Sequence, residues 1–268
     1  DGIVCLKQQD DRAKQITGPF LLATRAKNAG FLELSLLLSS RERNSPCWDA
    51  YMKMVETSDK FDELLKKVVK IILPQSLKEL SFCAFTNMEL LTEIVLPEGL
   101  EKIDRFAFSG CMSLRHIDIP TSIVSLGNGI FSHCYNLVSI HIPEDSKLQT
   151  LGESIFKECR RLEHVVLPQR IKKIPAKCFE LCTSLREMDL SSIEEVGGRA
   201  FLNCTSLIGV VIPERLTKLG YKAFEKCISL ERVVLLSKLE SLSRDCFKNC
   251  NSSMVIEFRD PSYLPGGS

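Results

Sequence analysis

Four histidines and twelve cysteines are the side chains of this chain best suited to do chemistry. Imidazoles at His116, His141 and His164, with Asp118 among them, could ligate a metal or make a pH-sensitive contact. The plainer reading is three exposed polar positions that happen to be histidine. Thiols could form a disulfide framework, hold zinc or act as nucleophiles. Cys178/Cys182 and Cys246/Cys250 are C-x-x-x-C pairs without matching histidines, so zinc is not expected. Cys5 and Cys47 lie in residues 1–63, which contain no histidine, so neither has a local base to activate it. The phosphate-loop, dinucleotide, zinc-protease and serine-hydrolase signatures are absent. The expectation is therefore a non-enzyme with no catalytic residue, no cofactor and no metal.

The elements that position these residues follow from a repeat. Phenylalanine recurs at Phe85, Phe108, Phe131, Phe156, Phe179, Phe201, Phe224 and Phe247, with spacings of 23, 23, 25, 23, 22, 23 and 23. Three residues after each stands Cys111, Cys134, Cys159, Cys182, Cys204, Cys227 or Cys250, with Met88 in the first unit. Three residues later comes a leucine, Leu91 through Leu230, with Ser253 in the last. A short alternating stretch follows, such as Ile117-Asp118-Ile119, and usually ends in proline. Alternation of apolar and other residues marks a strand with one buried face, and proline, lacking an N–H, closes it. Ser191 and Leu236 replace the proline twice. An apolar pair, a frequent glycine and a small residue lead into the next phenylalanine. One such unit cannot bury its apolar side alone, but stacked units share a continuous core.

This A-F-x-x-C-x-x-L pattern on a 23-residue repeat resembles the BspA-like leucine-rich-repeat family over roughly residues 64–258. The resemblance implies an α/β-type repeat solenoid with parallel strands on its concave face. It also implies partner recognition as the activity, since members of the family look like adhesion or binding proteins. Some sit on bacterial surfaces and many occur in protists.

Seven cysteines share one repeated slot, and Cys178 and Cys246 stand where Ala84, Ala107, Ala200 and Ala223 stand elsewhere. Interchange with alanine speaks for packing, because a buried free thiol behaves as a small apolar group. Reduced structural thiols favour an intracellular location, with a secreted or cell-surface one as the alternative. Asn203 and Asn251 begin N-x-S/T sequons, but Asn203 directly precedes a core cysteine and makes a doubtful glycan site.

Residues 1–63 lack the repeat and are expected to form a helical segment. One helix would run from Pro19 to about Ser39 and a second from Pro46 to Val69, capped by Ser45. They could cap the open end of the solenoid or form a separate interaction module. Val68 to Leu73 would be the first repeat strand, Met254 to Phe258 the last, and 259–268 a tail.

A net charge of +1 from 35 basic and 34 acidic side chains, mixed along the chain, gives no field for nucleic acid. No apolar run reaches the roughly 18–20 residues of a spanning helix, so membrane insertion is not expected. The partner is expected to be protein. The outward strand positions define the candidate concave binding face: Glu93, Val95, His116, Asp118, His141, His164, Val166, Glu187, Asp189, Val211, Arg232 and Val234. Val95, Val166, Val211 and Val234 form an apolar row rimmed by charge, either an interaction surface or simply β-branched residues suited to strands. The function expected is a binding or scaffold module, including a structural subunit of a larger assembly, acting through this face or the N-terminal segment. The alternative is a surface adhesin binding host or extracellular matrix proteins.

Overall fold

A computed structural model describes residues 68–258, apart from 74, 76, 237, 238 and 240–244, and the backbone of four strands before them. The repeats form a stacked series of coils in which strands add only in parallel. One row holds Lys70–Ile72, Glu93–Val95, His116–Asp118, Ser139–His141, His164–Val165, Gly209–Ile212, Arg232–Leu235 and Val255–Phe258. Equivalent positions face each other across it, as in Lys70↔Glu93, His116↔Ser139, Ser139↔His164 and Arg232↔Val255. A second row of two-residue strands, from Glu79–Leu80 to Lys218–Leu219, lines another side of the coil.

Between these rows the interior is mainly apolar, with Ser132, Ser146 and Ser192 among the few buried polar residues. Phe85, Phe108, Phe131, Phe156, Phe179, Phe201 and Phe224 are all fully buried. Neighbouring rings stack with centroids 4.9 Å apart for Phe201–Phe224 and up to 5.8 Å for Phe131–Phe156, within the range of favourable offset stacking. Leu91, Leu114, Leu137, Leu162, Leu185, Leu207 and Leu230 form a second buried column. Gly127 and Gly152 follow from the same stacking. A Cβ on Gly152 would lie 2.3 Å from the Gly127 carbonyl carbon, so the coils approach there only without side chains.

The return turn around each phenylalanine contains no helix, which corrects the α/β expectation. Its N–H groups bond to the next coil instead of to the fourth residue back. Cys83 N bonds Arg105 O at 3.0 Å, Phe85 N bonds Ala107 O at 2.7 Å and Asn87 N bonds Ser109 O at 2.7 Å. The same triplet recurs along the solenoid. Directing alternate N–H groups sideways requires left-handed backbone two residues before and two after the phenylalanine, seen at Cys83 and Asn87, Ser154 and Glu158, and Lys177 and Leu181. A non-glycine residue there costs roughly 1–2 kcal/mol, offset by the inter-coil bonds.

The cysteine column belongs to this turn. Each Sγ–H donates to the phenylalanine carbonyl of the preceding coil: Cys111 to Phe85 at 3.2 Å, Cys134 to Phe108 at 3.1 Å, Cys182 to Phe156 at 3.1 Å and Cys250 to Phe224 at 3.0 Å. From Phe108 onward that carbonyl already accepts from the backbone N–H of its own cysteine, as Phe108 does from Cys111, so the thiol fills its second lone pair. A cysteine is small enough for the slot and still brings a donor. Burial pushes the Cys111 and Cys246 thiols up to about 12. Ten cysteines of the described residues carry free thiols.

The N-terminal segment is stranded where it is described, which corrects the expected Pro19–Ser39 helix. Leu21–Arg25 and Phe31–Leu36 pair antiparallel. Ile3–Lys7 lies parallel between Phe31–Leu36 and the first repeat strand, and Gln15–Ile16 extends the second row. Leu32, Leu34 and Leu36 alternate with Phe31, Glu33 and Ser35, and this period of two wins over helix propensity. Asn28 and Gly30 lie between the strands, where a helix would have had to continue. The segment thus adds backbone to the solenoid edge by strand pairing. The expected helix at 46–69 lies outside the described residues except for its last two positions, as does the expected tail at 259–268.

Phe179→Ala removes a ring stacked on both sides and should cost about 3–5 kcal/mol. Urea unfolding monitored by circular dichroism reads this directly, and a loss under about 1 kcal/mol would mean the column is not core.

Candidate functional site

Alternation along the first row dictates which side chains reach solvent. In Glu93–Val95 and His116–Asp118 the central isoleucine is buried and both flanking residues are exposed. All twelve expected face residues project from this side. Val166 is 73 % exposed, Val211 51 % and Val95 41 %, while Val234 is half-buried. The apolar row expected from sequence therefore stands in solvent at three of its four places.

Pairing across the strands divides the face into separate polar contacts. Lys70 bridges to Glu93. His116 Nδ1 and Ser139 Oγ are 2.7 Å apart, and His164 Nδ1 lies 3.5 Å from Glu187 Oε1. Arg232 clasps Glu257 with two bonds of 2.9 and 2.7 Å, which holds the Glu257 carboxyl below its usual range. The three histidines do not converge. His116 and His164 flank Ser139 in one line of positions, whereas His141 stands opposite Asp118 in the other. No group of three metal-ligating side chains occurs among the described residues.

One part of the face is hollowed. A groove of about 1140 Å³ is lined on the strand face by Val166, Val211 and Val234, with Glu187 and Asp189 on the coil between Val166 and Val211, and along the turns by Glu144, Ser191, Glu214 and Arg215. Three departures from the repeat meet here. The ladder of strands stops across residues 185–190 and resumes at Gly209. The turn after that stretch is one residue shorter than usual, hence the 22-residue spacing to Phe201. Ser191 stands in it where most repeats have proline, and its N–H and Oγ bond the two Asp189 oxygens at 2.8 and 3.0 Å. Proline has no N–H to make the first of these bonds. Gly209 contributes no side chain at a position that is Lys, Glu, His, Ser, Arg or Val in other coils, and this deepens the groove. Two coils earlier, the turn carrying Glu144 is two residues longer, giving the 25-residue spacing before Phe156.

The expected face list includes Glu187, Asp189, Val166, Val211, Arg232 and Val234 but omits the rim. Glu144, Ser191, Glu214 and Arg215 come from turns whose direction the strand period does not set. The available signals were the two irregular spacings, the missing proline and the glycine at Gly209.

A profile of the family described as BspA type leucine rich repeat region matches this chain in six copies, over residues 58–186 and 145–254. Among solved structures, a Treponema pallidum leucine-rich-repeat protein is 32 % identical over 53 % of this chain and 65 % of its own, with a TM-score of 0.50. A leucine-rich-repeat protein from Bacteroides ovatus is 23 % identical, covers 91 % of this chain and 63 % of its own, and has a TM-score of 0.59. The pneumococcal vaccine antigen PcpA is 18 % identical over 74 % of this chain and 58 % of its own, with a TM-score of 0.51. This chain thus spans less than two thirds of the length of each. No curated protein sequence matches it.

Gly209 has ordinary strand backbone, and a Cβ placed there would meet only the Arg232 carbonyl oxygen at 3.5 Å. Gly209→Ala should raise stability by about 0.5–1 kcal/mol by removing the entropic cost of glycine in a strand. A fall in the urea midpoint would show that the backbone itself needs the glycine.

Proposed function

The chain belongs to the BspA type leucine-rich-repeat family, and from that premise we propose that it is a non-catalytic module that holds a protein partner on its concave strand face. The observation that carries this reading is the exposed valine floor at Val166 and Val211, set in a groove where the departures from the repeat gather. A soluble fold keeps isolated valines in solvent without consequence, but apolar side chains lining a concavity rimmed by charge form a surface suited to a partner. Polar side chains beside the valines are held in place, since Asp189 is tied to Ser191 and Arg232 to Glu257. Side chains ordered beforehand lower the cost of binding.

The reading assigns no chemical step. The Ser139–His116 contact lies outside the groove, and the hydrogen bonds described for it supply no carboxylate to orient the imidazole. Nor does it assign a nucleic-acid ligand, because the face carries more carboxylates than cations. No helix of the described residues is long and apolar enough to cross a membrane.

A reducing compartment is part of the proposal, supported by the free thiols that donate to carbonyls in the core. A disulfide between two of these would break both donations.

Val166→Gln and Val211→Gln leave the core and the net charge unchanged. The double variant should lose about tenfold or more in affinity for a partner recovered from the native source, measured by titration calorimetry. Unchanged affinity would remove the concave face from the proposal. Alkylation with iodoacetamide tests the compartment. In protein taken from its source, the thiols should all be free after unfolding, and before unfolding Cys83 and Cys250 should react first of the described ones. Disulfides in that material would place the chain outside the cell, where a surface adhesin works.

A further inference from the structure

The groove on the concave face also has a definite charge. Glu144, Glu187, Asp189 and Glu214 line it, against Arg215 and Arg232 as its cations. The Arg232 guanidinium is engaged by Glu257 from the adjacent strand through both of its carboxylate oxygens. The balance is therefore acidic, in a chain whose overall charge is +1. This acidity is local and sits directly beside the valine floor.

Two of the carboxylates are placed to receive a cation. Asp189 is held by the Ser191 N–H and hydroxyl, so its orientation is set before any ligand arrives. Glu187 stands two residues earlier on the same stretch, 3.5 Å from His164 Nδ1. Gly209, next along this line of positions, leaves open space in front of them. A long side chain could enter where other coils put their own, laying its methylene stem on Val211 and Val166 and its charged head between Glu187 and Asp189. Lysine and arginine have this build, an apolar stem with a cationic tip.

We infer that the groove takes an extended segment of a partner protein that presents lysine or arginine beside aliphatic side chains. The inference rests on the concave-face reading above and names the chemistry of its ligand. Aliphatic neighbours of the cation would cover Val166, Val211 and Val234. The carboxylates would set orientation and reject acidic or phosphorylated segments, because like charges brought together at an interface disfavour the wrong partner.

The test uses the full chain and fluorescein-labelled peptides of about a dozen residues. The peptides are identical apart from two positions between valines that are Lys, Ser or Glu. At an ionic strength of about 0.15 M, fluorescence anisotropy should show the Lys peptide binding at least about tenfold tighter than the Ser peptide, with the Glu peptide weaker still. The Glu187→Gln/Asp189→Asn variant should bring the Lys peptide to the level of the Ser peptide. Glu101→Gln, on another side of the coil, should leave it unchanged. Gly209→Leu should fill the groove and abolish binding of all three. Equal or tighter binding of the Ser or Glu peptide, no binding of the Lys peptide at millimolar concentration, or an undiminished Glu187→Gln/Asp189→Asn variant would overturn the inference. A native partner that is lost with Val166→Gln/Val211→Gln but kept by Glu187→Gln/Asp189→Asn would leave the concave face standing and remove only its basic ligand.

Discussion

Every coil of this protein has backbone donors and acceptors that it cannot satisfy within itself, and the architecture follows from passing them to the next coil. Buried polar backbone without a partner costs on the order of 1–3 kcal/mol per group, so no coil can hold this shape alone. The strand row solves the problem on one side of the coil. The phenylalanine turn solves it on the other side by setting the residues two before and two after the ring left-handed, so that N–H groups at Cys83, Phe85 and Asn87 point sideways rather than back along the chain. The stacked rings hold the coils at the separation these bonds need, and the thiols of the cysteine column donate to the phenylalanine carbonyls of the preceding coils, as Cys134 does to Phe108.

This constraint explains where variation is permitted. Positions in the columns must be the same residue type in each coil or a close substitute, as Met88 is for cysteine and Ala223 for Cys246. The outward strand positions and the turns that follow them are free of it. Both irregular spacings fall in such turns, one lengthened near Glu144 and one shortened at Ser191, and both turns line the groove. A site is thereby shaped without touching the core, through turn length, one glycine and one missing proline.

The columns were legible in the sequence because burial repeats with the coil. Phe156 and Phe179, the leucines after them and the outward positions from Glu93 to Arg232 could be placed by counting alone. The N-terminal segment could not, because composition rich in leucine and alanine suits a helix as well as a strand. The decisive alternation of Leu32, Leu34 and Leu36 spans only a few residues. The strand partners of that segment are also distant in sequence, as in Val4 with Ile71. The absence of a helix from the return turn was hidden for a different reason. Left-handed backbone at Lys177 or Leu181 leaves no trace in residue type, since the inter-coil bonds and not side-chain preference place it there. The groove was half legible: its floor follows the strand period, but its rim depends on the course of turns.

The parallel pairing at the two ends of the strand row has a consequence for how such a molecule comes apart. A coil in the middle is bonded to a neighbour on each side, whereas the coil ending at Val255–Phe258 is paired only with Arg232–Leu235 among the described residues. Opening therefore starts from a terminus and moves inward one repeat at a time, with each step exposing the next pair of rings. Val211 lies only two steps from Val255–Phe258, and Val166 four. Whatever shields that last strand, be it tail, neighbour or bound partner, sets how long the recognition surface keeps its shape.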